Sequence, residues 1–160
     1  MEKEVNIRKA SREDIPGLLE LLIQIDRLHH EGRPDLFKSG VTKYDAEQLE
    51  HILEREDVNV FVCEESDGRL TGHAFCVDKT VRDSEVLTDV KTLYIDDICI
   101  DENCRGRGLG RELYRYVQEY ARSENYYRIT LNVYCLNPDA VKFYEAMGLK
   151  QLKIGMEEIL

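Results

Sequence analysis

The chain has no tryptophan and only three prolines in 160 residues, and none of its apolar runs approaches the ~18 residues of a membrane span. Basic residues are outnumbered by acidic ones, 22 to 32. The resulting net charge of −10 excludes the basic footprint on which nucleic-acid binding and adhesion to anionic membranes depend. An acidic surface suits a cationic or amine-bearing partner instead. The cysteines Cys63, Cys76, Cys99, Cys104 and Cys135 are odd in number and include no Cys-x-x-Cys pair, which argues against a metal framework or a disulfide scaffold. All four histidines precede residue 74, so no Cys–His nucleophile is prepared. The opening Met1-Glu2-Lys3-Glu4 is charged and has no apolar signal core, so a cytoplasmic location is expected.

What is present is periodic. With 42% hydrophobic residues the chain reads as a single domain over 1–160, able to bury about 70% of its unfolded surface. Residues 4 to 9 alternate like a strand. A helix follows on Ile15, Leu18, Leu19, Leu22 and Ile25, capped by Ser11 or by Asp14 with Pro16 just inside. Gly32-Arg33-Pro34 marks a turn, and Asp45 caps a second helix through Leu49, Ile52 and Leu53. From Val58 the period becomes that of strands: Val58 to Cys63, a Ser66-Asp67-Gly68-Arg69 hairpin turn, Leu70 to Val77, and Thr88 to Ile100. A helix over Leu109 to Arg122, a short strand from Arg128 to Tyr134 and a helix opened by Asn137-Pro138-Asp139 come next. Leu149 to Leu160 reads as one or two closing strand pieces. The expected fold class is α/β, a mixed sheet of about six to seven strands with about four helices.

The chemistry gathers at Cys104-Arg105-Gly106-Arg107-Gly108-Leu109-Gly110-Arg111, between an apolar strand and an amphipathic helix. Strand, glycine turn and helix make an anion cradle: the backbone turns tightly, and the first helical N–H groups point at negative charge. No Walker loop is present, and glycines at offsets 0, 2 and 4 do not fit the dinucleotide fingerprint of 0, 2 and 5. Residues 105 to 115 carry four arginines against Glu112, a local reversal of sign in an acidic chain that favours a phosphorylated ligand.

The stretch Cys99 to Gly110 resembles the acetyl-CoA signature of the GNAT superfamily of N-acetyltransferases, a hydrophobic strand end followed by Arg/Gln-x-x-Gly-x-Gly/Ala opening a helix. Asn137-Pro138-Asp139-Ala140-Val141-Lys142-Phe143-Tyr144-Glu145-Ala146-Met147-Gly148 is similar to that family's second helix, Asn-x-x-Ala-x-x-Phe-Tyr-x-x-x-Gly. The resemblance implies a sheet splayed at the cofactor. It implies that Arg105, Gly106, Arg107, Gly108, Leu109, Gly110 and Arg111 hold the pyrophosphate of coenzyme A, and that Ile98, Cys99 and Ile100 pair with its pantetheine arm as an added strand. Asn137 would face the cofactor or simply cap its helix. Tyr144 would protonate the leaving thiolate or serve as a core aromatic.

Amine acylation needs an acid nearby. An alkyl amine with a reference pKa of about 10.4 is free to attack in only about one molecule in 10³ at pH 7, so a carboxylate must accept its proton. Asp96 and Asp97 lie in the otherwise apolar Leu93-Tyr94-Ile95-Asp96-Asp97-Ile98-Cys99-Ile100. Adjacent strand residues face opposite ways, so at most one is buried unless a bulge intervenes. Tyr94 to Ile98 also resembles the paired acids of the spermidine/spermine branch, where the first acid is the base and both hold the polyamine. Substrate contacts are expected from His29, Arg33 and Phe37 along with Asp96, with His30 and Asp35 beside them. The expected activity is direct acetyl transfer from acetyl-CoA to a small primary amine, polyamine-like or another aminated metabolite, without a metal or a covalent intermediate. The alternatives are acetylation of a protein N-terminus or lysine, a non-catalytic acyl-CoA sensor, and an unrelated nucleotide binder. A homodimer pairing through the final strands is a further expectation.

Overall fold

A computed structural model describes residues 4 to 160. Its sheet has five strands in spatial order β1-β2-β3-β4-β5: Val5–Lys9, Val58–Glu65, Leu70–Asp78, Thr92–Ile100 and Arg128–Leu131. The first four pair antiparallel and β5 joins β4 in parallel, the connection running through a helix as parallel pairing requires. The helices are α1 (Ile15–Gly32), α2 (Ala46–Glu54), α3 (Leu109–Ser123) and α4 (Pro138–Ala146). No helix among the described residues is long and apolar enough to cross a membrane.

The helix starts follow from their caps. Ser11 opens a single 3₁₀ turn, its backbone N–H donating to Asp14 at 2.7 Å, and α1 begins at the next residue with Pro16 in its first turn. Both sequence candidates therefore take part. Asp45 accepts from the Gln48 N–H at 2.8 Å and Asn137 from the Ala140 N–H at 3.2 Å. Arg8 clasps the Asp14 carboxylate with two bonds of 2.8 and 2.9 Å and ties β1 to the start of α1.

Each sheet face carries its own core. Leu18, Leu21 and Leu22 of α1 and Leu49 of α2 pack on Val58, Val60, Val62 and Phe75. On the other face Leu113, Tyr114 and Val117 of α3 cover Phe61, Cys63, Ala74, Cys76, Leu93 and Ile95. The three α1 leucines are fully buried, each contributing about 1.5–3 kcal/mol of transfer free energy. Burial pushes the Cys63, Cys76 and Cys99 thiols up to about 12, so they are inert filling.

Two strand expectations change. The sheet holds five strands, fewer than the six to seven expected, because residues 149 to 160 form none. Leu149 packs against the α3-face core, but Leu152, Ile154, Met156, Ile159 and Leu160 stay largely exposed and pair with no edge among the described residues. The third β-run begins at Thr92, four residues later than read, and β5 ends at Leu131.

Candidate active site

β5 pairs with β4 only from Thr92 to Ile95, so from Asp96 to Ile100 β4 has a neighbour on one side alone. This open half-edge runs into the glycine loop. There a 3₁₀ turn at Glu102–Cys104 is pinned by Asp101, which accepts the Asn103 N–H at 2.8 Å, and by Gln24 of α1, which accepts the Glu102 N–H at 3.0 Å. Gly106 and Gly108 then turn the chain at φ of 78° and 81°, in the region that only glycine enters without strain. The N–H groups of Gly108, Leu109, Gly110 and Arg111 find no acceptor among the described residues, so the start of α3 offers four open donors. At Gly110 a Cβ would lie 3.4 Å from the Phe143 ring, which lets α4 close over the same spot.

The arginines divide. Arg107 donates to Glu65 at 2.7 Å, and Arg69 donates to the same fully buried carboxylate at 3.3 Å and to Cys104 at 3.5 Å. Arg107 therefore braces the loop from beneath. Arg105 reaches back to the Ile100 carbonyl at 3.4 Å, and Arg105 and Arg111 are exposed with no ion-pair partner among the described residues. Two exposed cations beside four free N–H groups and an unpaired strand edge are the donor set a pyrophosphate on an extended amide-bearing arm requires. The residues present fit coenzyme A on that ground.

The acids sit at a bulge. Ile95 lies opposite Cys76 and Asp97 opposite Phe75, so Asp96 is an extra residue with no partner of its own. Facing residues of an antiparallel pair share a side: Ile95 joins Cys76 on the α3 face, and Asp97 joins Phe75 on the α1 face. Asp96 points to that α1 side as well, accepting from the hydroxyl of Tyr44, whose ring packs on Phe75. The bulge thus brings both aspartates to one face, overriding regular alternation.

Their surroundings differ. Asp96 accepts from Tyr44 at 2.8 Å and from the Lys43 ammonium at 2.9 Å. Burial alone would raise its pKa, but these two donors outweigh burial and hold Asp96 below the usual carboxylate range. Asp97 is nearly buried and lies 3.4 Å from Nε2 of His73, which is fully buried and whose Nδ1 has no partner among the described residues. On α1, Asp26 accepts the Lys43 backbone N–H at 2.7 Å. Its carboxyl is raised by burial, and Asp97's charge adds to that. Tyr144 on α4 has a phenol raised chiefly by burial and then by the Asp97 charge, so it keeps its proton at neutral pH.

Apart from Asp96, the expected substrate residues form a group at the C-terminal end of α1. His29 stacks on Phe37 with centroids 4.9 Å apart, and Tyr134 meets Phe37 edge-on at 5.5 Å. Arg33 is taken up by Asp35 at 2.8 Å and by Glu157, while His30 bonds the Phe37 carbonyl at 2.6 Å. The cluster is one helical turn from Asp26. Sequence reasoning missed Lys43, Tyr44, His73, Asp26 and Glu65. Tyr44 and Lys43 precede a capped helix start, which signals a turn, but nothing local links them to Asp96.

With this geometry in place, the chain was compared with known proteins. Residues 24–149 match the model of the acetyltransferase (GNAT) family. An uncharacterized N-acetyltransferase of Methanocaldococcus jannaschii is 25% identical over 152 residues, which cover 95% of this chain and 63% of that relative's length. A tetramutant protein of Bacillus halodurans superposes with a TM-score of 0.92 at 26% identity, covering 97% of this chain and 99% of that one. An aminoglycoside N-acetyltransferase in complex with CoA shares the fold with a TM-score of 0.73 at 14% identity, over 100% of this chain and 97% of the other.

Proposed function

We propose, from the premise that the chain belongs to the acetyltransferase (GNAT) family, that it is an acetyl-CoA-dependent N-acetyltransferase acting on a primary amine of a small molecule. The observation that carries this reading is the bulge, which lines up Asp96 and Asp97 beside an open strand edge that leads into the glycine cradle. The CoA complex of the aminoglycoside N-acetyltransferase that shares the fold supports the choice of cofactor. Gly108 to Arg111 hold the pyrophosphate, assisted by Arg105 and Arg111, while Ile98, Cys99 and Ile100 offer their backbone to the pantetheine arm. Bound there, acetyl-CoA supplies a thioester whose carbonyl carbon is attacked by the amine, the C–N bond forming as the C–S bond breaks.

The chain's own residues manage charge and protons. Asp96, held ionised by its donors, anchors the incoming ammonium and is a weak base. Asp97 takes the first proton from that ammonium, directly or through water, freeing the nitrogen lone pair. The buried His73 holds the Asp97 carboxylate in place. Tyr144 gives its proton to the departing sulfur; because burial makes the phenol reluctant to ionise, that transfer has to accompany C–S cleavage. The nitrogen loses a second proton as the amide forms, and Tyr144 recovers one. The sum is ammonium plus thioester giving amide, thiol and one released proton.

Thiol release from acetyl-CoA over an amine panel, beside calorimetric binding of coenzyme A, tests the reading. Amine-dependent release is expected. Tight coenzyme A binding with no release for any amine, peptide amines included, would favour a non-catalytic sensor, and binding of ATP without coenzyme A would end the reading altogether.

A further inference from the structure

The acetyl-transfer reading leaves the acceptor open, and two observations narrow it. The first is Lys43. Its ammonium, a primary alkylammonium of the kind the reaction consumes, is seated 2.9 Å from Asp96 Oδ2 and 3.4 Å from the Asp96 carbonyl, 5.5 Å from the centre of the Tyr44 ring. The seat is built rather than incidental. The Tyr44 hydroxyl donates to the same carboxylate oxygen at 2.8 Å, and its phenol is raised by burial and by that hydrogen bond, so it stays a donor. Lys43 itself lies outside any helix or strand, tethered by its backbone N–H to Asp26, so its side chain can leave without unpicking an element.

The second observation is a cavity of about 280 Å³ between α2 and the sheet, whose wall includes the same Tyr44 and Asp96. The rest of its lining is chiefly apolar: Ile52, Val58, Phe75 and Val77. Its polar rim carries Gln48, His51 and Arg55; Gln48 Oε1 already accepts the Asp45 N–H at 2.9 Å, and Arg55 is already matched by Asp57 at 2.6 and 2.9 Å. An ammonium on Asp96 therefore has beside it a space for carbon. A second ammonium in that space would lie among four apolar side chains and next to a guanidinium, losing water without gaining a counter-ion. The geometry disfavours a polyamine or an aminoglycoside there.

We propose that Asp96 and Tyr44 form the ammonium seat of the acceptor site and that Lys43 is its resident occupant. It is displaced by a primary monoamine whose apolar body enters the cavity under α2. This rests on the acetyl-transfer reading for its purpose, but not for its test. Lys43 then acts as a built-in competitor: the acceptor must displace one ammonium to place its own, which raises the apparent KM and leaves the chemistry after binding untouched.

The experiment uses 2-phenylethylamine, n-hexylamine and spermidine as probes on the wild type, Lys43→Met and Ile52→Phe. Binding is measured by calorimetry without cofactor, and turnover by thiol release with acetyl-CoA. Lys43→Met is expected to tighten 2-phenylethylamine and n-hexylamine about tenfold in Kd and KM, with kcat within about twofold. Ile52→Phe, which fills the cavity, is expected to weaken both by at least tenfold while coenzyme A affinity stays the same. Should Ile52→Phe fail to fold, Val77→Phe fills the same space from the sheet side. The proposal is overturned if neither monoamine binds any of the variants, if spermidine binds tighter than both, or if Lys43→Met leaves Kd unchanged. Monoamine binding without any thiol release would leave the seat standing and sink the acetyl-transfer reading instead.

Discussion

Replacing Gly108 separates the needs of the fold from those of the cradle. Its φ of 81° lies where a side chain strains the backbone, at a cost of about 1–2 kcal/mol. A Cβ built there meets nothing within 4 Å, so the backbone strain set by φ is nearly the same for alanine and tryptophan. For a chain of this size each kcal/mol lowers Tm by about 2–4 °C, so both variants should melt about 2–8 °C lower and remain folded. Their effect on an anion should differ widely. Gly108 caps α3 and carries the first of four N–H groups that have no acceptor among the described residues, and an indole at this position is expected to shield two of them. Hydrogen bonds to a charged group contribute about 1.5–3 kcal/mol each, so losing two weakens binding roughly 10²- to 10⁴-fold. Calorimetric titration with coenzyme A beside thermal melts reads both quantities. Gly108→Ala should bind within about tenfold of wild type and Gly108→Trp should fall by the larger factor. Undiminished binding by Gly108→Trp, or equal loss in the two variants, would refute the cradle.

Two further outcomes follow from the acids and the phenol. Tyr144→Phe removes a proton donor and little volume, so kcat should fall about 10²-fold or more while KM for acetyl-CoA holds; an unchanged kcat in single-turnover thiol release would clear Tyr144 of any role. Asp14 and Asp96 both sit below the usual carboxylate range, Asp14 because the Arg8 and Ser11 bonds outweigh burial. The folded chain therefore binds these protons less readily than the unfolded one. That stabilisation is complete above about pH 4 and drains as pH falls through the depressed values. Urea melts from pH 6 to 3 should show the midpoint dropping only below about pH 4, and less steeply in Arg8→Met; a midpoint independent of pH would contradict the assignment.

The helix caps and the glycine loop were legible in the sequence because their causes are local. Asp45 finds its N–H donor three residues away, Asn137 likewise, and Gly106 and Gly108 need only their own backbone angles. Of the acceptor half only the two acids, Asp96 and Asp97, were legible. Lys43 and Tyr44 meet Asp96 across more than fifty residues, and Glu65 meets Arg107 across 42. Such pairs depend on how α2 and the β2–β3 hairpin dock, which no spacing rule encodes. The tail fails for a related reason. Alternation at Leu152, Ile154 and Met156 reads as a strand, but alternation alone makes no strand unless the segment docks on an edge, and among the described residues this one pairs with none.

The bulge at Asp96 lets the reasoning be tested by deletion. If the chain passed from Ile95 directly to Asp97, the strand would alternate regularly, with Ile95 on the α3 face, Asp97 on the α1 face opposite Phe75, and Ile98, Cys99 and Ile100 where they now are. The extra residue therefore adds one carboxylate to the α1 face and leaves every other side chain of β4 in place. Deleting a strand residue normally flips everything beyond it; here the deletion removes an insertion. The variant lacking Asp96 should melt within a few degrees of wild type and bind coenzyme A unchanged, since Ile98 to Gly110 keep their register. It should lose amine binding, with Lys43 and Tyr44 left without their shared acceptor. Collapse of the fold, or loss of coenzyme A binding along with the amine, would show that the bulge shapes the cofactor edge as well. The division of labour between loop and bulge would then be wrong.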